Sequence, residues 1–202
     1  MTVAQMILSN VEIQRAIDQG VLVIRPEPLP RTPSASNPQP CPYDTTSVDL
    51  RLGNTISTPI SGSFAYDLRI PGFASFLSRN CKDVTLNQGG YALQSNEFVL
   101  GTTLEEIELP IVPGARVLAG RIEGKSSFAR CGLLVHFTAP TVHAGWKGPL
   151  TLEIKNLGAN PITLYPDMPI CQLILEEVSG TPFPNPSQFQ GQTTPAGTSR
   201  TP

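Results

Sequence analysis

The sequence predicts a mainly β fold, a distorted barrel or sandwich with one or two short helices, and three observations predict it. Short apolar or alternating runs recur along the chain, most of them shorter than an ordinary helix. Gly or Pro turns separate them: the 202 residues include 17 Gly and 21 Pro, while a hydrophobic content of 40% is enough to bury a core. Only 15% of residues are charged, against about 25% in ordinary domains, so much of the surface is neutral, as subunit interfaces are. One domain is the expectation at this length.

Taken in order, Ser9-Asn10-Val11-Glu12 reads as a capping box, in which the Ser9 hydroxyl accepts from the Glu12 amide and the Glu12 side chain reaches back. The helix it opens should end near Gly20 and bury Val11, Ile13 and Ile17. Val21 to Ile24 follows as a first strand. Seven prolines between Pro26 and Pro42 make residues 26–43 an extended loop, because proline donates no ladder bond. Val48, Leu50 and Leu52 alternate with Asp49 and Arg51 in the next strand. Further runs are Phe98 to Leu100, Ile107 to Leu109, Arg116 to Ala119, Leu133 to Phe137, Leu150 to Ile154, Ile162 to Tyr165 and Ile170 to Leu175. Glu105, Glu106 and Glu108 look like a solvated acidic edge. After Gly180 the chain turns polar and proline-rich, a tail that stays mobile until a ligand or partner orders it.

Composition narrows the function classes. Ten Arg and four Lys against 16 acids, with no basic run, leave no footprint for nucleic acid. Met1 to Ser9 carry no basic segment followed by an apolar core, and no stretch of about 18 apolar residues occurs, so a soluble, cytoplasmic protein without membrane partners is expected. The four cysteines form no C-x-x-C pair, and reduced thiols are the default.

The densest chemical signal is Gly120 to Arg130. It is one residue short of a Walker A loop and lacks the βαβ setting. Lys125, Ser126 and Ser127 opening one helical turn could offer a cation, hydroxyls and amides to phosphate oxygens, with Arg130 on the same face; a capped turn with a surface Arg is the plainer reading. Glu153 shares a strand face with Thr151 and Lys155, opposite Leu152 and Ile154. It is either a solvated carboxylate or a base. His136 reads as a hydrogen-bonded core histidine, and His143 and Trp146 fall in a turn that could cover a planar ligand.

These residues also carry a resemblance. Arg121-x-Glu123-Gly124-Lys125-Ser126-Ser127-x-Ala129-Arg130-x-Gly132-Leu133, His136-x-Thr138-Ala139, Gly145-Trp146-x-Gly148 and Leu152-Glu153 closely resemble the dCTP deaminase family of the dUTPase-like superfamily. The likeness extends to Met6 to Ser9, Ser47 to Gly53, Pro161 to Leu173 and the Phe189-Gln190-Gly191-Gln192 tail. It implies a dUTPase-like domain over residues 1–180, a tail of residues 181–202 closing on the site, and a homotrimer with sites between subunits. The implied reaction is zinc-independent hydrolysis of dCTP to dUTP and ammonia, with Mg²⁺ bound to the triphosphate. The H-x-E and P-C-x-x-C zinc signature is indeed absent from the sequence.

By resemblance Glu153 is the general base. Ser126 holds water or nearby oxygens, and Arg130 fixes Glu153. Lys125, Ser127, Phe128, Ala129, Ala139, His143, Trp146, Thr151, Leu152 and Gln192 complete the nucleotide site, with no metal ligands. His136 matches a position linked to inhibition by dTTP. Two departures stand out. His143 replaces the family's Asp, which argues against the dUMP-forming activity of bifunctional relatives. In the tail, Gln188 and Phe183 stand near the positions of the phosphate-binding Lys and Tyr, which leaves a catalytically silent nucleotide-binding trimer as a further alternative.

Overall fold

The computed structural model describes residues 6–36, 39–62, 65–69, 73–185 and 187–197; the sequence expectations for Met1 to Gln5, Asn37, Pro38 and the last five residues lie outside them. Helix α1 (Asn10–Asp18) starts where the cap motif predicts, with the Ser9 hydroxyl accepting from the Glu12 amide at 3.3 Å. The reciprocal half of the box does not form. The Glu12 carboxylate instead contacts Arg15 and Arg116, because two guanidiniums outbid one amide. Ile13 and Ala16 are buried and Ile17 partly so, whereas Val11 is 61% exposed, since it points off the stripe that Ile13, Ala16 and Ile17 define.

Strands β1 (Val23–Arg25) and β2 (Tyr43–Asp44) flank the proline-rich loop, which is tied down rather than loose: Arg31 pairs with Glu27 and Asp18, and Gln14 donates to the Arg31 carbonyl. The long strand β3 (Ser47–Pro59) organises the molecule by changing partners along its length. Its first half pairs with β2 and with β12 (Pro169–Glu177); its second half pairs with β4 (Cys81–Thr85) and β6 (Phe98–Glu108). The change falls at a register break between Leu52 and Ile56. There a Cβ on Gly53 would meet the Thr102 hydroxyl at 3.0 Å, so glycine allows the two strands a close approach where β3 turns the corner.

The full order is β8 (Leu133–Val135), β10 (Lys147–Asn156), β6, β3, β12, β7 (Leu118–Gly124), β9 (Thr141–Val142), and β1 joins at β6. This antiparallel sheet curls into a half-barrel, in keeping with the distorted barrel expected from the sequence. A separate pair, β5 (Tyr91–Leu93) with β11 (Ile162–Leu164), sits outside it. Inward side chains such as Val48, Leu50, Leu52, Ile107, Ile122, Leu152, Ile154 and Leu173 form one core with Leu8, Ile13 and Leu22.

The described residues hold three helices, not one or two. Beside α1 and the single turn α3 (Ser126–Ala129), α2 (Phe73–Arg79) lies between β3 and β4. No local cap announces α2; buried Ala74 and edge-to-face contacts of Tyr66 with Phe73 and Phe76 hold it. No helix among the described residues is long and apolar enough to cross a membrane.

The acidic stretch of β6 is also a correction. Glu106 and Glu108 pair with neighbouring strands at the edge, but Glu105 is fully buried, taking the Arg51 amide at 2.8 Å and Arg51 Nε at 2.7 Å. Strand alternation places it on the inner face, where the guanidinium of the adjacent strand compensates it.

Candidate active site

A cavity of about 540 Å³ opens on the face of β10 that carries Thr151 and Glu153. Its lining includes Leu150, Thr151 and Glu153 of β10, Leu100 of the adjacent β6 and Ile122 of β7. The turn from His143 to Trp146 forms one wall, Phe73 and Leu77 of α2 another. The lining is largely apolar, and its titratable side chains are His136, His143 and Glu153.

Glu153 reaches the cavity for the reason its sequence pattern gave: β10 alternates buried and half-buried residues, with Leu152 and Ile154 in the core. Its side chain is 31% exposed, and Oε2, itself buried, lies 2.6 Å from His136 Nδ1. The contact is out of line for a hydrogen bond, so charge carries it. His136 Nε2 faces the Ala139 carbonyl at 2.8 Å; a carbonyl only accepts, so Nε2 carries a hydrogen. Two lone pairs at 2.6 Å repel, so the pair must also hold a proton on the Nδ1 side.

Burial alone would pull the imidazolium's pKa down, but the Glu153 carboxylate and the Ala139 carbonyl outweigh it and the net direction is up from 6.5. Burial alone would raise that of Glu153, but His136, by contact and charge, with the Glu153 and Phe137 amides, brings it below 4.5. The pair therefore stabilises the fold most between about pH 4.5 and 6.5. Its contribution is lost as pH rises through the raised His136 value, and as pH falls through the lowered Glu153 value. Thermal melting of wild type against Glu153→Gln should show the largest gap inside that window; a gap independent of pH would contradict the pairing.

The other expected site residues divide into two groups. His143, Trp146, Thr151, Ala139 and Gln192 line the cavity with Glu153. Trp146 is fixed by its indole N–H on the Gly148 carbonyl at 3.0 Å. Leu152 does not line it; it is a core residue on the opposite face of β10. The second group stands elsewhere in the chain. β7 runs as strand to Gly124, and Ser126, Ser127, Phe128 and Ala129 form α3. The Lys125 ammonium is held by both Asp49 oxygens at 2.5 and 2.6 Å.

Within one chain Arg130 borders a surface depression with Gly132 and residues 158–162, and the partner of Glu153 is His136. Gly132 allows α3 to dock there: at φ +89° a Cβ would fall 2.3 Å from the Gly158 nitrogen. Sequence reasoning missed His136 as the partner of Glu153, and missed α2 altogether; the positive φ of His136, 63°, has no sequence signature.

Of the tail, residues 187–197 pack across the cavity on their own chain. Gln192 donates to the Pro149 carbonyl at 3.0 Å, Gln190 to Gly145 at 3.2 Å, and the Thr151 hydroxyl to Pro195 at 3.3 Å. Gln192 and Ala196 are buried.

Residues 7–178 match the family model for dCTP deaminase-like proteins. The chain belongs to this family. A dCTP deaminase of Thermomicrobium roseum is 37% identical over 175 residues, which cover 86% of this chain and 81% of the relative. A relative from Coprothermobacter proteolyticus named as a dUMP-forming dCTP deaminase is 38% identical over 200 residues, 96% of this chain and 95% of its own. The crystal structure of 2'-deoxycytidine 5'-triphosphate deaminase from Agrobacterium tumefaciens superposes with a TM-score of 0.60 at 22% identity over 86% of this dCTP deaminase-like chain, which spans about half (49%) of that one, and it bears out the fold.

Proposed function

We propose that this chain hydrolyses dCTP to dUTP and ammonia, with Glu153 as general base. The observation that carries the reading is the ionised carboxylate of Glu153 in a largely apolar cavity of nucleoside size, within a dCTP deaminase-like chain. Glu153 takes a proton from water as the oxygen adds to C4 of cytosine, and passes that proton to N3. The C4 hydroxyl then gives up its proton, the C4–N bond breaks, and ammonia leaves with that proton, so that C4 becomes the carbonyl of uracil. Trp146 and the surrounding apolar side chains restrict water around the ring, which strengthens the electrostatic interactions inside.

Among the described residues no three His, Cys, Asp or Glu side chains converge to hold a metal. Mg²⁺ is therefore assigned to the triphosphate, and no step runs through it. No Lys or Arg of the described residues lines the cavity either, so the phosphates need cations from outside it. A homotrimer supplies them: the turn of Lys125, Ser126 and Ser127, with Arg130, comes from a neighbouring copy and completes a site between subunits. The low charge of the surface supports such an assembly. dTTP, which shares the triphosphate and the deoxyribose, is proposed to compete for this site.

A second reading, direct formation of dUMP, is favoured by the dUMP-forming name of the Coprothermobacter relative and disfavoured by His143 at the cavity rim. Incubation with dCTP and Mg²⁺ separates them. The expected products are dUTP and ammonia in equal amounts without pyrophosphate; dUMP with pyrophosphate supports the second reading. Tight dCTP binding without any product supports a silent regulatory protein instead.

A further inference from the structure

The non-glycine residues described at positive φ are Asn96, His136 and Asp167, and His136 alone of these lines the cavity. A bulky residue keeps that conformation only where its surroundings hold it, and such positions concentrate at functional sites. His136 is held three times. Its amide donates to the Glu153 carbonyl at 2.8 Å, Nε2 donates to Ala139, and Nδ1 meets Glu153 Oε2. The side chain is 10% exposed, and neither Nδ1 nor Oε2 has another partner. The other titratable side chain in the cavity is His143; α2 and the described tail residues contribute only neutral groups to its lining.

We propose that His136 is a positioning residue for the catalytic carboxylate: it pins Oε2 of Glu153 so that Oε1 is the oxygen offered to water. The inference rests on Glu153 being the base. The imidazolium also keeps that carboxylate charged in apolar surroundings, where an unpaired acid would hold its proton and could not accept one from water. The αL backbone is what aims the ring. With an extended backbone at residue 136, the side chain would leave the strand in a different direction, and the pair would not form.

The test uses the full chain carrying His136→Asn, which tolerates positive φ, and His136→Gln as a second variant. For His136→Asn we expect kcat for dCTP to fall about 10- to 100-fold, part of the 10²–10⁴-fold that a positioned base supplies, with KM within about threefold. The acid limb of the pH profile should move upward. An unchanged kcat, a loss confined to KM, or an unmoved acid limb would overturn the proposal.

An independent readout needs no turnover. NMR titration of the His136 ring should give a lower midpoint in Glu153→Gln than in wild type, and an unchanged midpoint also overturns it. If the midpoint drops while wild type releases no ammonia from dCTP, the pairing stands and the substrate reading fails.

Discussion

Glu153→Gln should give a folded protein whose release of ammonia from dCTP is lower by about 10²–10⁴-fold, the range a positioned acid–base group contributes. The substitution keeps the shape of the side chain on β10 and leaves Leu152 and Ile154 in the core, so packing is not disturbed. What it removes is the ability to accept the proton of water. It also removes the charge facing His136 at 2.6 Å, which leaves the imidazole neutral at pH 7 and its Nδ1 able to accept from the new amide. Loss of activity with retained circular dichroism and little change in melting temperature at pH 8 is the expected pair of results. Activity within tenfold of wild type would remove Glu153 from the role of base.

Much of this site was legible in the sequence because strand alternation is a strict period of two. Leu150-Thr151-Leu152-Glu153-Ile154 places Thr151 and Glu153 on one face without any structure, and the half-buried pattern of β10 agrees. Ser9 as a cap and the turns at Gly145 and Gly158 are local chemistry of the same kind. The rest depends on what approaches from elsewhere. Nothing in Leu134-Val135-His136-Phe137 announces a left-handed backbone at His136, and without it the ring cannot be placed on Glu153. The identity of a glutamate does not say which sheet face it occupies, so Glu105 reads as solvated beside Glu106 until the alternation of β6 turns it inward. The tail is polar and proline-rich, yet the carbonyls of Gly145 and Pro149 give its glutamines partners from the cavity wall.

The distribution of charge separates the apolar cavity from the cations of the family motif. The cavity offers apolar surface, one acid–base pair and a second histidine, which suits a pyrimidine and a deoxyribose. The cations nearest in sequence to the family motif are elsewhere: Lys125 is committed to Asp49, and Arg121 pairs with Glu176 on β12. Asp49 is itself contacted by Gln172, whose amide also donates to Asp44. The turn that the proposed trimer would offer to phosphate is thus anchored to the sheet by a polar network. Such pre-organisation lowers the entropy lost on binding.

Arg51→Met should cost about 3–5 kcal/mol of stability, the effect of breaking a buried ion pair from one side. Glu105 is 0% exposed, and its two oxygens are taken by the Arg51 amide and by Arg51 Nε, at 2.8 and 2.7 Å. Methionine keeps the backbone amide and fills the stem of the arginine, so the change isolates the guanidinium. The carboxylate then sits in the core with a single donor. The Thr103 hydroxyl cannot help, because it already donates to the Glu105 carbonyl at 2.7 Å and accepts from the Leu150 amide at 2.9 Å across the β10–β6 irregularity. Cys171 does not replace the guanidinium either: its thiol, pushed up by burial first and by Glu105 and Asp49 after it, stays neutral, a weak donor that brings no compensating charge. Against a total of about 5–15 kcal/mol for an ordinary domain, the loss should be plain in urea unfolding. Adding Glu105→Gln to Arg51→Met should recover most of it, since a neutral amide still accepts from the residue 51 backbone and carries no charge to desolvate. A loss below about 1 kcal/mol for Arg51→Met, or a double variant no better than the single one, would mean that the charge pair does not hold β3 to β6.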